Sequence, residues 1–150
     1  TRFRNVTGVQ TCALPIYRDE IFSREEALQR LGLKDKPPVA FYGFTGNPGD
    51  HERHWKKYSY LKEEGYQLIS STSYQGGLFP IADYYNAFDL MICGAGYNQF
   101  WEVIYFDKEA VFEVSPMHFS KQYRRVRECQ EYTFSENGAD RLVRVITREI

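Results

Sequence analysis

Two glycines flank an alanine at Gly94-Ala95-Gly96, and a carboxylate, Glu102, follows about two helical turns later. Glycines between a strand and a helix let the backbone come close to a ligand. The free N–H groups and the positive dipole end of the helix then favour a phosphate. A carboxylate at the distance of Glu102 can accept two hydrogen bonds from a ribose diol. Tight strand–helix turns also use glycine for purely steric reasons, so the motif alone leaves both readings open. A second glycine-rich stretch, Gly43-Phe44-Thr45-Gly46-Asn47-Pro48-Gly49, reads as a turn-rich loop. Other residues have the right type but a plainer reading. His51 and His54 could share a helix face, but no third metal ligand accompanies them, and a solvated surface is expected. Arg124, Arg125 and Arg127 could meet an anion or form a wet helix face. Trp55 and Trp101 read as core, and Cys93 as the inert end of a buried strand.

These residues need elements to hold them. Ser23 and Glu26 have the spacing of a capping box, Ala27, Leu28 and Leu31 supply an apolar face, and Gly32 closes a short helix. Lys34 to Pro38 is a loop. Val39 to Tyr42 is an apolar run bounded by Gly43, as a buried strand should be. His51 to Glu64 reads as a helix ended by Gly65, and Tyr66 to Ser70 as a strand. Gly77 to Pro80 is expected as a short strand, and Ile81 to Phe88 as a helix. Leu90 to Cys93 forms another strand, Tyr97 to Phe106 a helix and Ala110 to Val114 a strand. Lys121 to Glu131 and Ala139 to Ile146 complete the series as helices. Strands alternating with helices imply βαβ units. The fold class expected is therefore α/β, a Rossmann-like parallel sheet with helices on both faces. Ligands of such sheets bind beyond the carboxyl ends of the strands, near a topological switch point. The loops at Gly43–Gly49 and Gly94–Gly96 should both face that crevice.

Composition narrows the class further. The formal net charge is −1, which gives no push towards nucleic acid. Twelve tyrosines and eleven phenylalanines argue for a packed core or a cleft rather than disorder. No apolar run approaches the roughly 20 residues that span a bilayer. Cys93 and Cys129 lack metal-type spacing and fit a reducing cytoplasm. The stretch Val6 to Ile16, VTGVQTCALPI, reads as the translation of a sequencing-library adapter, and Thr1 to Asn5 fit the same source. Residues 1–16 are therefore expected to be artefactual, with the Asn5 sequon and Cys12 among them. A single domain is expected to start at Tyr17 and run to Ile150.

The segment from Ile81 to Gln122 resembles the C-terminal domain of glycosyltransferase family 28. Its pattern is an aspartate turn, an apolar strand, a Gly-x-Gly loop, a helix bearing a glutamate, a strand ending near proline, and a glutamine opening a further helix. Those parts fall on Asp89, Leu90 to Cys93, Gly94 to Gly96, Glu102, Ala110 to Val114, Pro116 and Gln122. The stretch from Arg24 through the first strand and loop is similar to the interdomain linker and opening strand of such domains. The resemblance implies the C-terminal half of a GT-B fold, two Rossmann-like domains of which this one binds the donor nucleotide. Gly94, Ala95 and Gly96 would then line the diphosphate, with Gly43, Thr45 and Gly46 completing the phosphate side. Glu102 would hold the ribose, Gln122 the donor sugar, and Asn98 and His118 would stand beside them. No metal or cofactor is implied.

The leading expectation is a glycosyltransferase fragment that binds a nucleotide diphosphosugar, a UDP-sugar first among candidates. The acceptor site and the general base would come from an absent N-terminal domain, so the fragment alone should be inactive. The implied setting is cytoplasmic, with the parent protein able to sit at a membrane surface. Three alternatives stay open. They are the donor-binding subunit of a two-chain transferase, a nucleotide-sugar epimerase on the same scaffold, and an interaction module that binds no nucleotide.

Overall fold

The computed structural model describes residues 18–43, 48–72, 77–114, 121–134 and 143–147. The adapter-like segment, Tyr17, Thr45, Gly46, Pro116 and His118 lie outside these residues. Of the expected last helix, residues 143–147 are described and are helical.

The first helix, α1, spans Arg24–Leu31. Ser23 Oγ accepts the Glu26 N–H at 3.2 Å, while the Glu26 carboxylate turns to Arg30 at 2.9 Å instead of closing the box. Gly32 ends the helix at φ 68°, a left-handed conformation that favours glycine. Strand β1 is Val39–Gly43 and is buried along its whole length, as a central strand covered on both faces must be. Helix α2 runs over Pro48–Tyr58 and tightens into a 3-10 turn at Ser59–Lys62, rather than continuing as α-helix to Glu64. Ser59 Oγ donates to the Lys56 carbonyl at 2.9 Å, a local bond of the kind that competes with the helical ladder. Strand β2 is Gln67–Ser71.

The short strand expected at Gly77–Pro80 does not form. The Gly77 N–H donates to the Thr72 carbonyl and the Leu78 N–H to Ser71 Oγ, and proline has no N–H, so only the Phe79 N–H is left and no ladder can form. Ile81–Ala87 is a 3-10 helix, not an α-helix. At three residues per turn, Ala82, Tyr85 and Phe88 fall on one line, and all three are buried in the core. Strand β3 (Leu90–Gly94), helix α3 (Tyr97–Tyr105), strand β4 (Ala110–Glu113) and helix α4 (Gln122–Cys129) follow.

The described strands form one parallel sheet in the order β2-β1-β3-β4. The chain leaves β1 towards β2 on one side and leaves β3 towards β4 on the other. Crossovers of one hand that run in opposite directions must lie on opposite faces. The core confirms the placement. Val39, Phe41, Met91 and Cys93 pack with α1, the 3-10 helix and α3, whereas Ala40, Tyr42 and Ile92 pack with Tyr58, Leu61 and Trp55. The chain is thus an α/β, Rossmann-like fold. Among the described residues no helix is long and apolar enough to cross a membrane.

One polar clamp ties α1 to the sheet. Arg24 reaches Asp89 at 3.0 and 3.1 Å and Asp35 at 2.8 Å, and Asp89 Oδ2 accepts the Val39 N–H at 2.8 Å. Burial by itself would raise the Asp89 carboxyl, but Arg24 and the Val39 amide outweigh it and hold the group below its ordinary value. A depressed carboxylate adds stability above its unfolded pKa, and that stability is lost as pH falls through the folded value. Asp89→Asn is therefore expected to cost about 1–2 kcal/mol at pH 7, discounted for the partial exposure of the pair. The difference in Tm from the parent chain should shrink below about pH 4. Melting curves at pH 7 and pH 3 check this, and a pH-independent difference would refute the charge argument.

Candidate functional site

The chain diverges between β1 and β3, and the glycine loops leave the sheet there. Gly43 lies opposite Cys93, and Gly94 lies opposite Glu113 on β4. The carboxyl ends of the three strands therefore meet at one edge, with α2 starting behind it and α3 in front.

The glycines at this edge differ in kind. Gly43 is buried, and a Cβ built on it would overlap the Phe41 ring and stand 3.2 Å from Gln99 Nε2 of α3. Phe41 is stacked on Phe88 (centroids 4.6 Å apart, planes at 21°) and has nowhere to go. Packing alone therefore explains glycine at 43. Gly96 is the N-cap of α3, with φ −59° and ψ 155°, a conformation open to any residue, and no side chain caps the helix. A Cβ there would meet nothing within 4 Å among the described residues. No described contact requires glycine at 96.

Ala95, between Gly94 and Gly96, is fully buried. Its N–H donates to the Glu113 carbonyl at 3.0 Å, extending the β3–β4 ladder, and its carbonyl accepts from Arg125 at 2.7 Å. Its amide is thus spent inside the fold, and Ala95 contributes the shape of the loop. The donors at the start of α3 come from Gly96 onward. Arg125 also lies over the Tyr97 and Phe100 rings at 5.0 and 5.8 Å. Arg124 and Arg127 instead pair with Glu128 on the exposed side of α4. Of the three arginines considered from sequence, Arg125 is the one that turns to the loop. It brings α4 with it, and Gln122 is half-buried at the first position of that helix.

Glu102 lies five residues beyond the start of α3, about 7.5 Å down the helix axis. Its Oε2 accepts from the Tyr85 hydroxyl at 3.2 Å, and its Oε1 takes no hydrogen bond among the described residues. Burial pushes the Glu102 carboxyl up, against a smaller lowering by Tyr85. Asn98, on the first turn, is half-buried.

On the α2 side, the Glu113 carboxylate accepts from Lys57 Nζ at 2.5 Å and from the Tyr58 hydroxyl. The Glu113 bond, with help from Tyr58, pushes Lys57 up to about 12. His51 faces Ser70 Oγ at 3.1 Å and lies parallel to Trp55, so it is not simply solvated; burial first, and then His54, lower its pKa. Trp55 and Trp101 pack among aromatic neighbours. Burial pushes the Cys93 thiol up to about 12, which leaves it unreactive. Among the described residues no three His, Cys, Asp or Glu side chains converge as a cation site.

Sequence reasoning did not find Gln99 over Gly43, Tyr85 on Glu102, or Glu113 with Lys57 and Tyr58. Each joins residues of different elements, and no linear spacing signals such a meeting. No family model matches the chain, and no curated protein or solved structure matches it either.

Proposed function

We propose that the edge between β1 and β3 binds a nucleotide diphosphosugar, as the donor half of a metal-independent glycosyltransferase of the GT-B kind. The diphosphate sits at Gly96 and the uncapped N-terminus of α3, the ribose at Glu102, and the sugar towards Gln122. The observation that carries this reading is Gly96. With an unstrained backbone and, among the described residues, no atom within 4 Å of where a Cβ would be, its lack of a side chain suits a close approach by a ligand.

The chemistry asked of this half is modest. The acceptor hydroxyl oxygen bonds to the anomeric carbon as the bond to the diphosphate breaks, and its proton passes to a base. Charge develops on the departing diphosphate, where helix amides already point and the Arg125 guanidinium stands beside the loop. The acceptor site and the base belong to an acceptor-binding domain or partner chain, so this chain alone should bind donor and transfer nothing. A few charge-assisted hydrogen bonds of about 1.5–3 kcal/mol each, less the cost of immobilising the ligand, correspond to a Kd on the order of 0.1–1 mM.

Titration calorimetry of the full chain with UDP and with UDP-sugars is expected to show saturable heat in that range. At a tenfold excess over Kd the stabilisation should be about 1.4 kcal/mol, a rise of a few degrees in Tm. Absence of both heat and shift at millimolar nucleotide would sink the proposal in favour of an interaction module.

A further inference from the structure

We infer that Tyr85 is a positioning residue that aims Glu102 at the ribose diol and so gives the site its preference for ribonucleotides over 2′-deoxyribonucleotides; this rests on the donor reading above.

The Tyr85 side chain is fully buried, and its ring stands edge-on to Phe106 (centroids 5.3 Å apart, planes at 90°), so its hydroxyl is held in place by the core. That hydroxyl donates to Glu102 Oε2 at 3.2 Å. A glutamate on a helix normally swings through several rotamers, and fixing it costs side-chain entropy. Here one lone pair of Oε2 is anchored to the core, which orients the carboxylate and leaves Oε1 and the second lone pair of Oε2 as acceptors. The arrangement is costly for a fold that needs only packing, because Glu102 is partly desolvated and burial works against its charge. The cost is understandable if the carboxylate must be both ionised and aimed. A vicinal diol offers two donors to two carboxylate oxygens, whereas a 2′-deoxyribose offers one and forfeits the match.

Tyr85→Phe keeps the ring and its packing and removes the bond alone. In the full chain, calorimetry is expected to show UDP binding about five- to tenfold weaker, with 2′-deoxy-UDP changed less than about twofold, so that ribose discrimination collapses. A second readout guards against a merely structural effect. Tyr85 bonds the ionised form of Glu102, so its removal should raise the pH below which UDP binding is lost. The titratable neighbours around this pair are the Tyr85 phenol and the buried Cys93 thiol beside it, and Cys93 stays neutral throughout. If the wild-type chain binds neither nucleotide, the donor reading is overturned and this assignment with it. If it binds UDP over 2′-deoxy-UDP and Tyr85→Phe retains both that preference and the pH profile, the donor reading stands and the role of Tyr85 is refuted. Equal losses for both nucleotides would also refute it.

Discussion

The Glu102→Gln variant is expected to bind UDP about 10- to 100-fold more weakly than the parent chain, while melting at the same temperature or higher at pH 7. The binding loss follows from replacing an ionised acceptor, whose hydrogen bonds are worth about 1.5–3 kcal/mol, by a neutral amide. The stability follows from linkage. Burial raises the Glu102 carboxyl in the folded chain, so the folded state holds this proton more readily than the unfolded state. Between the unfolded and folded values the folded state binds more protons, so stability is fully present below the unfolded pKa and is lost as pH rises through the folded one. At pH 7 the charged carboxylate is therefore a burden that Gln removes, and Tyr85 can still donate to the amide oxygen. The gain in Tm should vanish near pH 4, where Glu102 is itself protonated. A variant that binds UDP as the parent does would remove Glu102 from the site. A variant that melts well below the parent at pH 7 would show that the carboxylate serves the fold instead.

A contrast between two glycines should be nearly as large. Gly43→Ala puts a methyl group into the Phe41 ring, itself locked against Phe88, and overpacking of this kind costs about 1–3 kcal/mol. Its Tm should fall by several degrees. Gly96→Ala meets no described atom and has no positive φ to strain it, so the fold loses at most about 1 kcal/mol for a poorer N-cap. Yet its methyl group would stand in the proposed diphosphate site, and on that reading UDP binding should weaken at least about tenfold. Thermal melts and calorimetry on the two variants separate the effects. A Gly96→Ala chain that keeps full affinity would remove the observation on which the donor assignment stands.

Much of the architecture was legible because its signals are short-range. Ser23 and Gly32 bracket α1 as their chemistry requires, and the apolar runs at Val39, Leu90 and Ala110 become strands of the expected parallel sheet. The misreadings were local too. Ile81–Ala87 winds as a 3-10 helix because three buried residues at spacing three must face one core, and Gly77 and Leu78 spend their N–H groups on Thr72 and Ser71 at the end of β2. Residue types marked the carboxyl edge, since glycines after apolar runs and a carboxylate on the next helix can be seen in a linear string.

Partnership was decided elsewhere. Only the strand order places Gly43 beside Cys93, and only the opposite placement of α2 and α3 makes that edge the point of divergence. The tertiary structure turned one arginine of three towards the loop, tied up the Ala95 amide, gave Gly43 a packing reason and, among the described residues, withheld one from Gly96. The physical reason is range. Capping, periodicity and turn chemistry act between residues a few positions apart and can be read from neighbours. Which groups are left for a ligand depends on contacts between distant elements, and those exist only once the sheet has assembled.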